Sequence, residues 1–305
     1  MIFASSRAAV LLLIFNRLDT TKQVLEAIRA ARPPRFYIAC DGPRNTHAGE
    51  AETVQAVQDH VIHNIDWKCE IKTLFRDKNL GCKTAVESAI NWFFKHEVMG
   101  IILEDDCLPS PSFFPYCEEL LSRYLDDERI MAISGDNFQF GHQRTQDSYY
   151  FSRYPHCWGW ATWRRAWHQY DKGMKLWPEI RDQKLLNDIL DNRWASRYWQ
   201  NKFEKTYAGK INSWAFCWTL ACWLQSGLTI LPNVNLVSNL GFSAGGTHLS
   251  NRKDHFANLP RQTMAFPLQH PSYIVRNQKA DDFTQRTMFG LRARAIGKTK
   301  RLLGF

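Results

Sequence analysis

The chain has 305 residues, of which 45% are hydrophobic, 23% charged and 13% aromatic. That composition supports a sizeable core and excludes intrinsic disorder. Its net charge of +9 gathers at one end: after Asp282 come Arg286, Arg292, Arg294, Lys298, Lys300, Arg301 and no acid, leaving +3 to everything before. Such a distribution argues against nucleic-acid readout by the body of the chain. Leu291, Ile296, Leu302, Leu303 and Phe305 interleave with these bases. The tail therefore suits an anionic membrane surface as well as it suits a solvated end.

In chain order, residues 10–15 form a continuous apolar run, the pattern of a strand buried on both faces. This run lacks the basic cluster and small-residue cleavage site of a signal peptide, and no stretch reaches the ~18 apolar residues of a membrane span. A cytoplasmic location, peripheral at the membrane through the tail, is the expectation. Thr20 and Gln23 have the spacing of a capping box for a helix to residue 31, stopped by Pro33 and Pro34. A strand over 36–40 ends in Asp41-Gly42. A helix carries Val54, Val57, Val61, Ile62 and Ile65. A strand over 71–75, a helix over 84–96 and a strand over 99–103 follow. After Pro109-Ser-Pro111 a helix presents Phe113, Phe114, Cys117, Leu120 and Leu121, and 130–134 is a fifth strand. In the second half the pattern gives helices over 185–190, 193–207 and 214–225 and a strand over 228–231.

This alternation predicts an α/β fold with a mostly parallel sheet flanked by helices, whose ligands sit outside the carboxyl ends of the strands. A change of texture near 148 divides the chain. Residues 1–148 read as a nucleotide-binding half and 149–260 as a Trp-rich, mostly helical acceptor half. Residues 261–305 read as a basic tail.

Just past the predicted strands lie Asn16-Arg17, Asp41-Gly42, Arg76-Asp77-Lys78-Asn79 and Glu104-Asp105-Asp106. Three adjacent carboxylates repel one another unless cations or donors compensate. Mg²⁺ or Mn²⁺ suits such oxygen ligands, together with phosphate oxygens and water. Strand alternation would set Glu104 and Asp106 on one side and Asp105 on the other. Asp41 and Asp77 are carboxylates able to accept from a base or ribose. Lys83 opens a helix whose N–H groups favour anions. No G-x-x-x-x-G-K-[ST], G-x-G-x-x-G or G-x-S-x-G occurs in a fitting context, so P-loop, dinucleotide and α/β-hydrolase chemistries lack their signatures.

The segments VLLLIFNR (10–17), ACDG (39–42), RDKNLG (76–81) and LEDDCLPSPSFF (103–114) resemble GT-A-fold glycosyltransferases. So do HCWGWATWRRAW (156–167) and PNVNLVSNLGFSAGGTH (232–248). The likeness is to bacterial family-2-type sugar transferases and the N-acetylglucosaminyltransferase I group. It implies a GT-A, Rossmann-like fold and transfer from a nucleoside-diphosphate sugar, a UDP-sugar first in expectation, to a glycan or lipid-linked glycan of the cell envelope. It also implies Mn²⁺ or Mg²⁺ and an inverting course. By the same resemblance Asp106 is the metal ligand, Glu104 and Asp105 meet the donor sugar and ribose, and Asp41 meets the nucleoside. Trp158, Gly159 and Trp160 would form a sugar wall, and His248 would approach the diphosphate on a closing loop. Relatives carry a carboxylate in a W-D-x-x-W stretch where this chain has Ala215. Asp136, just past the fifth strand, is the substitute general base, with Asp171 next. Two alternatives stay open: a nucleotide-sugar-binding protein with impaired catalysis, and a sugar-1-phosphate nucleotidyltransferase. The latter would want a Gly-rich loop after the first strand, where 12–19 has no glycine.

Overall fold

The computed structural model describes residues 7–242 and 256–290. Its first half alternates β1 (Val10–Ile14), α1 (Leu18–Ala31), β2 (Arg35–Cys40), α2 (Glu50–His63), β3 (Glu70–Phe75), α3 (Cys82–His96) and β4 (Met99–Glu104). A short β5 (Cys107–Pro109), α4 (Phe113–Arg123) and β6 (Ile130–Ser134) follow. The second half adds β7 (Tyr149–Ser152), β8 (Trp160–Trp163), α5 (Arg164–Trp167), α6 (Trp177–Asp182), α7 (Leu186–Ile189), α8 (Arg193–Tyr207) and α9 (Trp214–Leu224). It ends in β9 (Leu228–Pro232), β10 (Val237–Asn239) and α10 (Gln278–Met288).

Eight strands form one sheet in the order β3-β2-β1-β4-β8-β6-β9-β7, and β5 pairs with β10 in a separate antiparallel ribbon. The pairs β2·β3, β1·β2, β1·β4 and β6·β9 are parallel, while β8 runs antiparallel between β4 and β6. The result is a Rossmann-like, mostly parallel α/β sheet, as the alternation predicts. Strands from both sides of residue 148 enter it.

Period-two alternation assigns the two faces. Leu12, Ile38 and Leu103 pack with Val24 and Leu25 of α1, Val57 of α2 and Leu120 of α4. Leu11, Tyr37 and Ile102 face the other way, toward Ile90 and Phe93 of α3 and Trp218 of α9. Helices therefore cover both sides, which lets the VLLLI run of β1 be buried at every position.

Two local expectations are corrected. The capping box of α1 does not form: Arg17 is the N-cap residue, and the hydroxyls of Thr20 and Thr21 both donate to its carbonyl. Within the Trp-rich stretch the chain passes from strand to helix. Trp160 and Trp163 lie on strand β8, and only Arg164–Trp167 is helical. Finally, part of the predicted tail is folded onto the body. Asp281 of α10 is buried, accepting from Ser152 Oγ (2.6 Å) and pairing with Arg153 (3.4 Å). The expected basic membrane segment from Leu291 onward lies outside the described residues. Among those described, no helix is long and apolar enough to cross a membrane.

Candidate active site at the β1–β4 switch point

The chain leaves β1 for β2 and β3 on one side, then returns to place β4 on the other side of β1. Parallel crossovers thus diverge between β1 and β4, the point at whose carboxyl ends such sheets have their ligand crevice. From β1 this crevice receives Phe15, Asn16 and Arg17; from β4 it receives Glu104, Asp105 and Asp106. The sequence puts three carboxylates against one guanidinium there.

Arg17 Nη2 lies 2.6 Å from Asp105 Oδ1, and Arg17 Nη1 lies 2.6 Å from Asp106 Oδ2. The other oxygen of Asp105 accepts the Phe15 N–H at 3.2 Å. Asp105 therefore does not face away from Asp106's partner, as strand alternation predicts. β4 ends at Glu104, and the next two residues turn. Burial works against the charge on Arg17, but Asp105 and Asp106 more than offset it and hold the guanidinium protonated. Burial also raises Glu104 and Asp105 above the usual carboxylate range; repulsion from Asp106 adds to this and Arg17 opposes it. The cluster is short of positive charge.

Behind Asp106 stands the segment after β10. Leu240 N–H donates to the Asp106 carbonyl at 2.8 Å, and Gly241 N–H donates to Asn239 Oδ1 at 2.8 Å. A methyl group added at Gly241 would overlap Asp106 Oδ2 and come within 3.0 Å of Arg17 Nη1 and Asn239 Oδ1. Only glycine leaves that room. Nothing near the triplet in sequence signals it; Gly241 and Phe242 are residues that sequence reasoning did not single out individually.

Trp158 forms the adjoining wall. Its half-buried indole meets Phe242 edge-on at 5.6 Å between ring centroids and Phe138 at 5.2 Å. Gly159 takes φ +69°, a left-handed conformation costly for other residues, and any Cβ there would crowd Val237. Trp160 belongs elsewhere. It is buried in the core among Trp167, Trp214 and Trp218 and presents no face to a ligand.

The remaining candidates are distributed as follows. Asn16 Nδ2 donates to Glu50 Oε1 (2.9 Å), and Glu50 also pairs with Arg44, which holds its carboxyl down at about 2. Asp41 spends both oxygens on backbone: Gly42 and Leu80 N–H reach Oδ1 at 3.0 and 2.9 Å, and Gly81 N–H reaches Oδ2 at 3.0 Å. It pins the β2 loop to the start of α3 and has little capacity left for a nucleoside. Asn79 Nδ2 reinforces this junction through the Gly42 carbonyl at 2.7 Å. Asp77 is exposed. Arg76 donates to Ser88 Oγ (2.7 Å), and Lys83 Nζ donates to the Lys172 carbonyl (3.0 Å), so both are tied to protein.

Asp136 is fully buried. Its Oδ2 accepts Trp158 N–H at 3.0 Å and Ser134 Oγ at 3.4 Å, while Oδ1 has no partner. Burial pushes this carboxyl well above the usual range. In that position it holds the backbone of Trp158. Asp171 is also engaged, by Gly173 and Lys175 N–H at 2.9 and 2.6 Å. His248 lies outside the described residues.

The donor set at the cluster is oxygen only, the chemistry of a hard divalent cation. Among the described residues no group of three or more His, Cys, Asp or Glu side chains has metal-holding geometry. Any cation here would have to take one or two protein carboxylates, Asp106 and the partly buried Glu104, and complete its shell from phosphate and water.

No family model and no curated protein sequence matches the chain. Among solved structures it is similar over part of its length to the mannosyltransferase PcManGT from Pyrobaculum calidifontis, in complex with GDP-Man and Mn²⁺. That match has 15% identity and a TM-score of 0.36, and covers 53% of this chain and 46% of that one. The chain thus spans about half the length of that neighbour. HddC from Yersinia pseudotuberculosis is similar at 11% identity and a TM-score of 0.31, covering 52% of this chain and 77% of that one. Its complex with GMP-PN matches at 10% identity, with the same TM-score and coverages.

Proposed function

We propose that the protein is a glycosyltransferase that moves a sugar from a nucleoside-diphosphate sugar to a glycan acceptor. The observation carrying this reading is the carboxylate triplet Glu104-Asp105-Asp106 facing Arg17 across the β1–β4 switch point. A diphosphate in that crevice brings negative charge, and that charge grows as the glycosidic bond breaks. Arg17 supplies a planar donor matched to phosphate oxygens. Asp106, with Glu104, would hold Mn²⁺ or Mg²⁺, whose contribution is to stabilise the leaving diphosphate. Trp158 offers the sugar a flat apolar face, and Asp136 fixes the backbone of that residue.

The deprotonation half of the reaction has no assigned residue. Ala215 cannot accept a proton, and Asp136 and Asp171 are both engaged in holding the chain. Loss of general-base help costs roughly 10²–10⁴-fold, which slows transfer without abolishing it. A binding protein without turnover is the second reading, supported by that same position.

The test is donor turnover. Purified protein incubated with UDP- and GDP-sugars and Mn²⁺ should release nucleoside diphosphate, by hydrolysis or by transfer to a supplied glycan. Asp106→Asn should stop the release. Tight donor binding with no release by the native protein would favour the binding-protein reading, and release undiminished in Asp106→Asn would remove the site assignment.

A further inference from the structure

Arg17 is anchored at its base. As N-cap of α1 it gives its carbonyl to Thr21 N–H (3.1 Å) and Thr21 Oγ1 (2.6 Å), which fixes the point from which its side chain departs. At the far end, the guanidinium grips two carboxylates that are almost fully buried, their side chains 3% and 11% exposed for Asp105 and Asp106. No other cation among the described residues pairs with Glu104, Asp105 or Asp106. One positive charge therefore answers three carboxyl groups.

Arg17 already holds one of the two oxygens with which Asp106 could ligate a metal. Asp106 Oδ2 is bound to Nη1, and Asp106 Oδ1 accepts only the weak Cys107 Sγ–H at 3.4 Å. Gly241 closes against Asp106 Oδ2 and the guanidinium together, so the space beside that oxygen is shared by both. A divalent cation and a guanidinium on one carboxylate, with no anion between them, repel strongly at such distances. A diphosphate changes the balance, since its oxygens accept from a guanidinium in the same forked geometry as two carboxylates do.

We propose that Arg17 is a resident counter-cation of the acidic cluster, competing with a divalent metal for Asp106 until a nucleoside diphosphate draws the guanidinium away. Metal and nucleotide then load together, each weak alone. This rests on the nucleotide-sugar reading above. It assigns Arg17 a positioning role toward the metal site in addition to its contact with phosphate.

The experiment is a Mn²⁺ titration followed by electron paramagnetic resonance, on native protein, Arg17→Gln and Arg17→Lys, without nucleotide and with UDP or GDP. Native protein should bind Mn²⁺ weakly alone and about tenfold more tightly with the nucleotide, a coupling of ordinary size. Arg17→Gln should bind Mn²⁺ about tenfold more tightly than native protein when no nucleotide is present, and the nucleotide should add little. Removing one partner of a buried ion pair is destabilising, so thermal unfolding is measured in parallel. Should Arg17→Gln not fold, Arg17→Lys carries the test. Its point charge cannot bridge both aspartates, and a gain of roughly threefold in Mn²⁺ affinity is expected on the same coupling scale. A folded Arg17 variant that binds Mn²⁺ no more tightly than native protein overturns the proposal. That result with nucleotide binding intact refutes this inference alone. Absence of UDP and GDP binding in native protein refutes the nucleotide-sugar reading, and with it the coupled loading proposed here.

Discussion

The guanidinium of Arg17 and the carboxylate of Asp106, 89 residues apart in sequence, meet at 2.6 Å across the switch point of the sheet. Everything proposed about the site turns on that pair. Asp106→Asn leaves the acceptor oxygen but removes the charge, and it lowers the repulsion among the three acids. Arg17 loses one of its two carboxylate partners but keeps Asp105, so together with the relieved repulsion the unfolding temperature should stay close to the native one. Its nucleotide affinity in Mn²⁺ should drop by at least the ~10–100-fold that even indirect changes cost metal sites. Calorimetric titration with and without EDTA checks this; unchanged metal dependence would contradict the role of Asp106.

Gly241→Ala tests the room behind the cluster. Its backbone does not require positive φ, so any effect comes from the added methyl against Asp106 Oδ2. Overpacking of this kind costs about 1–3 kcal/mol. Nucleotide binding should fall further than stability alone explains, because the displaced group is the carboxylate itself. Denaturant unfolding and nucleotide affinity, measured side by side, separate the two effects. Full binding in the variant would show that the segment after β10 stands clear of the site.

Two neighbouring tryptophans should behave differently. Trp160→Ala empties a core position ringed by three other indoles and should cost ~3–5 kcal/mol. Trp158→Ala removes a half-buried wall and should cost less while slowing donor turnover. Urea unfolding and donor-release rates distinguish them, and equal losses of stability with no change in turnover for Trp158→Ala would count against a sugar-facing wall.

Asp136 gives a pH-dependent outcome. Burial raises its folded pKa well above the usual carboxylate range, so ionisation costs the folded state more than the unfolded one. Below about pH 4 the group is neutral in both states and the cost vanishes; as pH rises above that value, the native protein loses stability until the folded pKa is passed. Asp136→Asn, which keeps an acceptor for Trp158 N–H, should match native protein at pH 4. At pH 7 it should melt higher by ~2–4 °C per kcal/mol regained. A variant less stable at pH 7 would show that the carboxylate is ionised and compensated.

The fold was legible where burial writes a simple pattern. β1 is apolar throughout because both its faces are covered, and α1 stops at Arg32 in a left-handed turn with Pro33 and Pro34 behind it. Trp160, Trp163 and Trp167 all face apolar surroundings, two on a strand and one on a helix, and spacing alone cannot divide them. Asp41-Gly42 was recognisable as the end of a strand. Its carboxylate's true partners, Leu80 and Gly81 N–H, lie about 40 residues on and carry no local mark. The acidic triplet was visible as chemistry, but its pairing was not: alternation holds only within β4, and the chain turns after Glu104. Gly241 and Phe242 reach the site through the β5·β10 ribbon, a long-range pairing that no periodicity encodes.

The most direct measurement is thermal unfolding of the native protein with UDP, GDP and their sugars, each with Mn²⁺, with Mg²⁺ and with EDTA. A ligand that binds only the folded state raises the melting temperature in step with its concentration. The account predicts stabilisation by one nucleoside diphosphate and its sugar in the presence of metal, and little by metal or nucleotide alone. Stabilisation that survives EDTA undiminished, or none with any pair, would contradict a metal-assisted diphosphate site at Arg17, Glu104, Asp105 and Asp106.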